Sequence, residues 1–309
     1  MYPVILFVYN RPDLTEITIR SLAENLDAHK SDIYIYSDGP KDSSDLIKVE
    51  SVRKIISNLH GFKSVKVVLQ DQNIGLAQSV ITGVSDILKH FTAAIVLEDD
   101  LLTSKYFLTY MNDALKKYEA QHLVMSVSGY SPVDLSHIGD TFFVSSTECW
   151  GWGVWARSWR KFNSDGIYLL NKIRQERRIR EFNFNGAHDF EDQLIGQIAG
   201  INNSWSIRWM ASVFLENGLT LYPKKSMVKN IGNDGSGTNT KKNSEYDVEI
   251  YAAPINLTYQ EPVESKIARL EFEKFFRTKI RERHKIVRIL KKILPIYFRA
   301  KIYKFKVTN

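Results

Sequence analysis

The chain of 309 residues is 44% hydrophobic and 25% charged, ordinary values for a globular protein that exclude a largely disordered or collagen-like chain. Its formal net charge of +7 is uneven, because segment 266–309 has fifteen Lys and Arg against three Glu, and the rest of the chain is mildly acidic. The one cysteine, Cys149, excludes an intrachain disulfide bond and fits a reducing compartment. No apolar run approaches the roughly 18 residues that span a bilayer, and we interpret the apolar start as a strand rather than a signal peptide.

Short apolar runs alternate with segments of helical periodicity through the first 130 residues. This pattern predicts strands at 3–8, 32–36, 64–69, 93–97 and 123–127, and helices at 13–26, 49–59, 75–89 and 104–118. The alternation indicates an α/β fold with a mostly parallel sheet flanked by helices. Ligands of such sheets bind outside the carboxyl ends of the strands, so the residues after each strand are the candidates for function.

The pattern changes from about residue 142. Aromatic residues and glycines cluster at 149–155, and a polar, helix-biased stretch continues to about residue 182. Further segments follow at 189–198 and 204–217, with a strand predicted at 219–222 and a Gly-rich loop at 230–237. Trp150, Trp152 and Trp205 suit stacking on sugar rings, whereas Trp155 and Trp159 fit the core better.

Three acidic residues, Glu98, Asp99 and Asp100, directly follow the predicted strand 93–97. Negative charge concentrated at one strand end is costly unless a cation neutralises it. A hard divalent cation suits this cluster, because such ions are held by one or two carboxylates and completed by phosphate oxygens and water. The alternative is a solvated acidic turn, and the position at the strand end favours the metal–phosphate site.

Polar residues also follow the other predicted strands. Asn10 and Arg11 come after the first, where Arg11 fits a phosphate or a nucleobase, or is a surface residue before a helix. Asp38 follows the second and suits a ribose hydroxyl or a base N–H, although Asp-Gly-Pro is also ordinary turn chemistry. The loop after the third strand adds Gln72, Asn73 and Gly75. Polar strand ends beside one acidic cluster together indicate a nucleotide site.

These motifs resemble those of glycosyltransferases of the GT-A fold, which is Rossmann-like and binds nucleotide-sugars. The resemblance rests on Asn-Arg-Pro at 10–12, Ser-Asp-Gly at 37–39, Asn-x-Gly at 73–75, Leu-Glu-Asp-Asp at 97–100 and Trp-Gly-Trp-Gly at 150–153. It is closer to N-acetylglucosaminyltransferase I-like enzymes and bacterial surface-polysaccharide transferases near family two, and it covers about residues 3–240. It implies a nucleotide-sugar-binding half at 1–130 and an acceptor-binding half at 131–265. The basic helical tail predicted at 266–309 lies outside it.

The same resemblance implies roles for individual residues. Asp100 would coordinate Mn²⁺ or Mg²⁺, and Glu98 and Asp99 would contact the ribose or the donor sugar. Arg11 and Asp38 would hold the nucleotide. The rest of the implied donor-binding set is Asn10, Gln72, Asn73, Gly75, Trp150, Gly151, Trp152, Gly153 and Ser236. Related sequences often end the last loop with a metal-binding His, but this chain has Asn239 there.

An inverting transferase needs a base that takes the proton of the acceptor hydroxyl. Glu-Asp-x-x-Leu at 191–194 resembles a family-two segment, whereas 203–205 is Asn-Ser-Trp where the N-acetylglucosaminyltransferase I type has Asp-Asp-Trp. We therefore predict Asp192 as the base, with Asp189 and Glu191 as alternatives. The competing interpretation is that these acids only stabilise the first turn of a helix.

The segment 280–307 alternates apolar and basic residues, and Pro295 divides it. Basic amphipathic segments bind anionic membrane surfaces, and the alternative is a helix packed on the domain with a solvated basic face. A nucleic-acid partner is not expected, because no recognised motif accompanies the charge.

We therefore predict a metal-dependent glycosyltransferase that moves a sugar from a nucleotide-sugar, most simply a UDP-sugar, to a glycan acceptor. The expected setting is bacterial O-antigen or capsule synthesis, with a lipid-linked acceptor, at the cytoplasmic face of the cell membrane. A rival function is a sugar nucleotidyltransferase, but that class needs a Gly-rich basic loop that 10–13 lacks. The other rival, a non-catalytic basic membrane- or nucleic-acid-binding protein, leaves the polar strand ends unexplained.

Overall fold

The computed structural model describes residues 1–232 and 246–281. Its strands are β1 Val4–Val8, β2 Asp32–Ser37, β3 Ser64–Leu69, β4 Ala93–Glu98, β5 Leu101–Thr103, β6 Val124–Ser128, β7 Thr141–Val144, β8 Trp152–Trp155, β9 Leu219–Pro223 and β10 Val228–Asn230. Its α-helices are α1 Pro12–Ala23, α2 Ser43–Ser57, α3 Leu76–Ile87, α4 Phe107–Lys117, α5 Ala156–Trp159, α6 Gly166–Gln175, α7 Ile179–Phe182, α8 Phe190–Ile198, α9 Trp205–Leu215 and α10 Lys266–Arg281. Ser236, Asn239 and the predicted tail beyond residue 281 lie outside the described residues.

One sheet of eight strands runs through both predicted halves, in the order β3-β2-β1-β4-β8-β6-β9-β7. The strands β1 to β4 are parallel, with Val4 opposite both Ile33 and Ile95. β8 is antiparallel to β4 and β6, β9 is parallel to β6, and β7 is antiparallel to β9. The predicted α/β fold with a mostly parallel sheet is confirmed. The carboxyl ends of β1, β2, β3, β4, β6 and β9 therefore share one edge.

Helices cover both faces of the sheet, and β1 shows why. Val4, Leu6 and Val8 pack into one apolar cluster with α1 and α4, whereas Ile5 and Phe7 pack into another with α3 and α9. Because successive side chains of a strand point to opposite faces, both faces of β1 must be apolar. This explains the continuous apolar run in the sequence.

Most predicted helices are present, but α2 begins at Ser43, six residues before the predicted start. Asp42 explains the difference, since its carboxylate accepts hydrogen bonds from the N–H groups of Ser44 at 2.9 Å and Asp45 at 3.3 Å. Such a cap satisfies N–H groups that the first helical turn leaves without partners.

The start of segment 266–309 belongs to the folded domain. Within α10, Ala268, Phe272 and Phe276 are buried in a second core with α6, α8 and α9. Within 1–232 and 246–281, no helix has both the length and the apolar character that crossing a membrane requires.

Candidate active site

The acidic cluster lies at the end of β4, beside the residues that follow β1. Nη1 of Arg11 donates to Oδ2 of Asp100 at 3.1 Å, and Nη2 forms a second ion pair with Oδ1 of Asp99. The other Asp99 oxygen accepts from the N–H of Tyr9 at 3.2 Å. Both aspartates are buried, and Oδ1 of Asp100 has no hydrogen-bond partner among the described residues. Arg11 thus bridges two acids and leaves one carboxylate oxygen unused.

The electrostatics of this cluster reflect three acids facing one cation. Burial raises the pKa of Asp99 to about 6, even though Arg11 opposes the shift. Burial also raises the pKa of Glu98 to about 8, with smaller contributions from Asp100 and Asp99. The neutral form of Glu98 is therefore favoured more than it is for an exposed glutamate. A second cation in the site would favour the ionised carboxylates.

The residues present fit a divalent cation held mainly by other ligands. The unused Oδ1 of Asp100 is one oxygen ligand, and Mg²⁺ commonly binds one or two carboxylates with phosphate oxygens and water. No group of three or more His, Cys, Asp or Glu side chains in the described parts of the chain forms a metal cage. The donor set suits an ion that arrives with a phosphate ligand.

Gly232, which belongs to the Gly-rich loop predicted at 230–237, closes the cluster on one side. The N–H of Ile231 donates to the carbonyl of Asp100 at 2.8 Å, which brings the chain after β10 against the acids. A Cβ atom on Gly232 would overlap Oδ2 of Asp100 and lie 2.9 Å from Nη1 of Arg11. A side chain at this position would therefore displace the Arg11–Asp100 ion pair.

Asp38 fastens two of the predicted binding loops together. Oδ1 accepts from the N–H groups of Gly39 and Ile74, and Oδ2 accepts from the N–H of Gly75, each at 2.9 Å. Nδ2 of Asn73 donates to the carbonyl of Gly39 at 3.1 Å. The structure thus brings the loops after β2 and β3 together, and Asp38 positions them; its contact with a nucleotide stays a prediction.

Asn10 is held by a residue that the sequence analysis did not select. Its Nδ2 donates to Oδ1 of Asp45 at 2.7 Å, and the hydroxyl of Tyr9 donates to the same carboxylate. These bonds lower the pKa of Asp45, Tyr9 having the larger effect. Asp45 comes from the first turn of α2, so the unpredicted start of that helix supplies a partner to the site.

The aromatic–glycine segment has a mixed role. Trp152 is only 1% exposed and stacks on buried Trp205 with ring centroids 5.1 Å apart, so both indoles serve as core residues in this structure. Gly153 lies under the side chains of Met111 and Leu115, which leave no room for a Cβ. Trp150 is half-buried, which leaves it as the tryptophan of this segment that reaches the surface.

The three predicted bases lie at the start of α8, which packs on α6 and α9. Glu191 accepts from Nε of Arg174 at 3.1 Å and from Nη2 at 2.5 Å, so it is already engaged in an ion pair. Asp189 immediately precedes the helix, and Asp192 belongs to its first turn. Asp192 remains the predicted base.

Glu148 is a second acidic residue, after Asp45, that sequence reasoning missed. Because β8 runs antiparallel to β4 with Trp152 opposite Val96, the residues before β8 lie near the acidic end of β4. Burial raises the pKa of Cys149, and the charges of Glu98, Glu148 and Asp100 raise it further, so all three acids lie near its thiol. Burial alone raises the pKa of Glu148 to about 8. A single acid before a Trp-Gly motif has no spacing signal that would identify it.

Comparison with known proteins agrees with the fold. The arrangement is that of a glycosyltransferase with the GT-A fold. Residues 4–174, more than half of the chain, match the family model "Glycosyl transferase family 2", and the chain therefore belongs to that family. No curated protein matches the chain.

Several solved structures are similar to parts of the chain at low identity. S. aureus TarS residues 1–349 is 15% identical, with 50% of this chain and 47% of that chain covered and a TM-score of 0.33. The galactosyltransferase LgtC, in complex with donor and acceptor sugar analogs, is 8% identical, with 71% and 72% covered and a TM-score of 0.37. Mouse xyloside xylosyltransferase 1 is 11% identical, with 58% and 75% covered and a TM-score of 0.35. The chain spans 21% of a longer S. aureus TarS structure, with 41% of this chain covered, 18% identity and a TM-score of 0.28.

Proposed function

We propose that this glycosyltransferase is metal-dependent and moves a hexosyl group from a UDP-sugar to a glycan acceptor with inversion. Its setting would be bacterial O-antigen or capsule synthesis at the inner face of the cell membrane, where the acceptor is carried on a lipid. The basic segment beyond residue 281 would hold the enzyme against anionic lipid.

The observation that carries this proposal is the incomplete charge balance at the end of β4. One guanidinium, from Arg11, pairs with both Asp99 and Asp100, and Oδ1 of Asp100 is buried without a partner among the described residues. An acidic site of this kind binds a diphosphate only if a further cation enters with it, because phosphate and carboxylate repel each other. Mn²⁺ or Mg²⁺ held by Asp100 would stabilise the charge on the departing diphosphate.

Side chains of the protein itself have the other roles in this proposal. Arg11 matches phosphate geometry and can exchange a carboxylate partner for a phosphate oxygen. Asp38 keeps the loops after β2 and β3 in place for the nucleoside. Asp192 would take the proton of the acceptor hydroxyl as its oxygen bonds to the anomeric carbon. The bond from that carbon to the diphosphate breaks, and the nucleoside diphosphate leaves with the bonding electrons.

The test compares Asp100→Asn with the wild-type chain on a panel of UDP-sugars with Mn²⁺, and separates the nucleotide products. We expect wild-type to release UDP, and the variant to lose activity by at least about a hundredfold, the scale of one lost electrostatic contact to the transition state. Asp86→Asn, which alters an exposed ion pair with Lys89, is the matched control and should keep full activity. Full activity in the Asp100 variant would refute the metal assignment, and release of pyrophosphate would instead identify a nucleotidyltransferase.

A further inference from the structure

A groove of about 390 Å³ opens beyond the ends of β6 and β9. The residues that follow these two strands form two of its walls, and segment 248–252 forms a third. Because β6 and β9 run parallel to β4, their carboxyl ends lie at the same sheet edge as the acidic cluster. The groove is therefore on the edge where the reaction takes place.

The sheet order fixes the distance between the groove and the acids. Across the sheet, β4 is followed by β8, then by β6 and then by β9. Neighbouring strands lie about 4.8 Å apart. The groove thus begins two to three strand spacings, about 10–15 Å, from Glu98 and Asp100. That distance is longer than one sugar ring.

Trp150 and Glu148 occupy the interval between the acids and the groove. Tyr130 and Tyr246 meet the indole of Trp150 nearly edge-on, with ring centroids 4.8 and 6.0 Å away, and the hydroxyl of Tyr130 donates to the carbonyl of Tyr246 at 3.1 Å. The indole is thereby fixed while part of it stays exposed. The half-buried carboxyl of Glu148 has no ion pair or hydrogen bond with any described residue. A fixed indole and an unengaged carboxyl suit the C–H face and the hydroxyls of a sugar.

The groove also presents polar and aromatic side chains. Lys225 and Asp134 form an ion pair at 3.0 Å across its wall, with side chains 40% and 59% exposed, so each retains hydrogen-bonding capacity toward a ligand. Tyr251 supplies an aromatic ring. Glu249 adds a second carboxylate, so two acids stand against one lysine; the lining therefore repels an anion, while its exposed polar groups suit the hydroxyls of a sugar.

We propose that the acceptor is an oligosaccharide whose accepting sugar rests on Trp150 beside Glu148 and whose next sugar lies in this groove. This inference rests on the proposed glycosyl transfer, and it adds that the acceptor must contain at least two sugars for full affinity. Chain length, rather than the accepting sugar alone, would then select the substrate.

The test measures binding of the full chain to gluco-, cello- and chito-oligosaccharides, from monosaccharide to tetrasaccharide, by saturation-transfer difference NMR. We expect at least one series to gain about tenfold in affinity from monosaccharide to disaccharide. Ala252→Trp, which fills the groove from an exposed position, should remove that gain and leave the monosaccharide affinity unchanged. Asn256→Trp, at an exposed position four residues further along, is the matched control.

Three outcomes would overturn the proposal: no binding in any series, no gain with length, or a gain that survives Ala252→Trp while the variant remains folded. Thermal stabilisation by UDP-sugars with Mn²⁺, measured on the same samples, separates this failure from failure of the proposed function. If UDP-sugars stabilise the protein but affinity does not rise with oligosaccharide length, the result would contradict only the proposed sugar site in the groove. Lys225→Ala, which adds no bulk, should also reduce the gain in affinity from monosaccharide to disaccharide, but by less than Ala252→Trp.

Discussion

At the scale of single residues, Arg11 is the residue on which the charge balance of the site depends. Its guanidinium is the cation paired with Asp99 and Asp100, both of which are buried. Removing one partner of a buried ion pair leaves an uncompensated charge and costs about 3–5 kcal/mol. We therefore expect Arg11→Ala to lower the free energy of unfolding by about 3 kcal/mol in urea titrations without metal, and to abolish transfer.

Arg11→Lys provides the control for that prediction. A lysine keeps the charge but lacks the planar fork that reaches both aspartates, so stability should recover in part while transfer stays low. If Arg11→Ala unfolds at the same urea concentration as the wild-type, the ion pairs contribute nothing to stability and the bridge has no energetic role.

Glu148 leads to a prediction about pH and stability. Its folded pKa of about 8 lies above the ordinary glutamate value of 4.5, so the folded protein binds this proton more tightly than the unfolded chain does. Stability must then fall as pH rises from about 4.5 to about 8, by up to about 1.4 kcal/mol per pH unit for this one proton. We expect Glu148→Gln to unfold at higher urea concentration than wild-type at pH 8.5.

The same pair of proteins supplies the check. Near pH 4.5 the wild-type carboxyl is protonated in the folded state and about half protonated in the unfolded chain, so the advantage of the Gln variant over the wild-type should shrink. Glu98 and Asp99 titrate in both proteins, so their contributions cancel in the difference between the two unfolding free energies. An identical pH dependence for the two proteins would mean that Glu148 is solvated rather than buried.

At the scale of elements, the parallel half of the sheet follows from sequence, whereas the antiparallel strands do not. Ile5 and Phe7 on one face of β1 and Val4, Leu6 and Val8 on the other make a fully buried strand visible as an apolar run. In β8, by contrast, Trp152 alternates with Gly153, a residue that usually signals a loop. Met111 and Leu115 pack directly on the backbone of this glycine, and that contact is formed only in the folded chain.

The predicted site divides in the same way. Because the carboxyl ends of parallel strands share an edge, the sequence alone predicted that the residues following β1, β2, β3 and β4 lie at one edge of the sheet. Asp45 comes from the start of a helix and Glu148 from the loop before an antiparallel strand. Gly232 follows β10, a short strand that pairs with the distant β5. No periodicity in the sequence relates these three positions to β4, so their proximity required the structure.

The contact between the loops after β2 and β3 gives a prediction at this scale. A Cβ atom on Gly39 would lie 2.5–2.8 Å from backbone atoms of Gln72, and backbone cannot move aside as a flexible side chain can. We expect Gly39→Ala to cost about 1–3 kcal/mol of stability, the usual scale of overpacking, and to weaken nucleotide binding. Urea unfolding and calorimetric titration with UDP measure the two effects. Unchanged UDP affinity would show that these loops do not hold the nucleotide.

At the scale of the whole molecule, part of the basic C-terminal segment belongs to the folded domain. The basic segment begins at Lys266, but α10 buries Phe272 and Phe276 in the domain core, so its first 16 residues are an integral part of the globule. The part of the basic segment that follows this helix, from residue 282, contains nine Lys and Arg against one Glu.

We expect the full chain to bind vesicles that contain anionic lipid and to detach as salt is raised, because salt screens exposed charges. Each Lys or Arg near such a surface contributes about 1 kcal/mol, so replacing Lys291, Lys292 and Lys301 by Gln should weaken binding about a hundredfold. The matched control replaces three exposed lysines of the folded domain, Lys48, Lys54 and Lys117, which removes the same charge from a different place. Equal losses in the two variants would mean that net charge alone drives binding, whereas loss confined to the first variant would assign membrane attachment to the C-terminal segment.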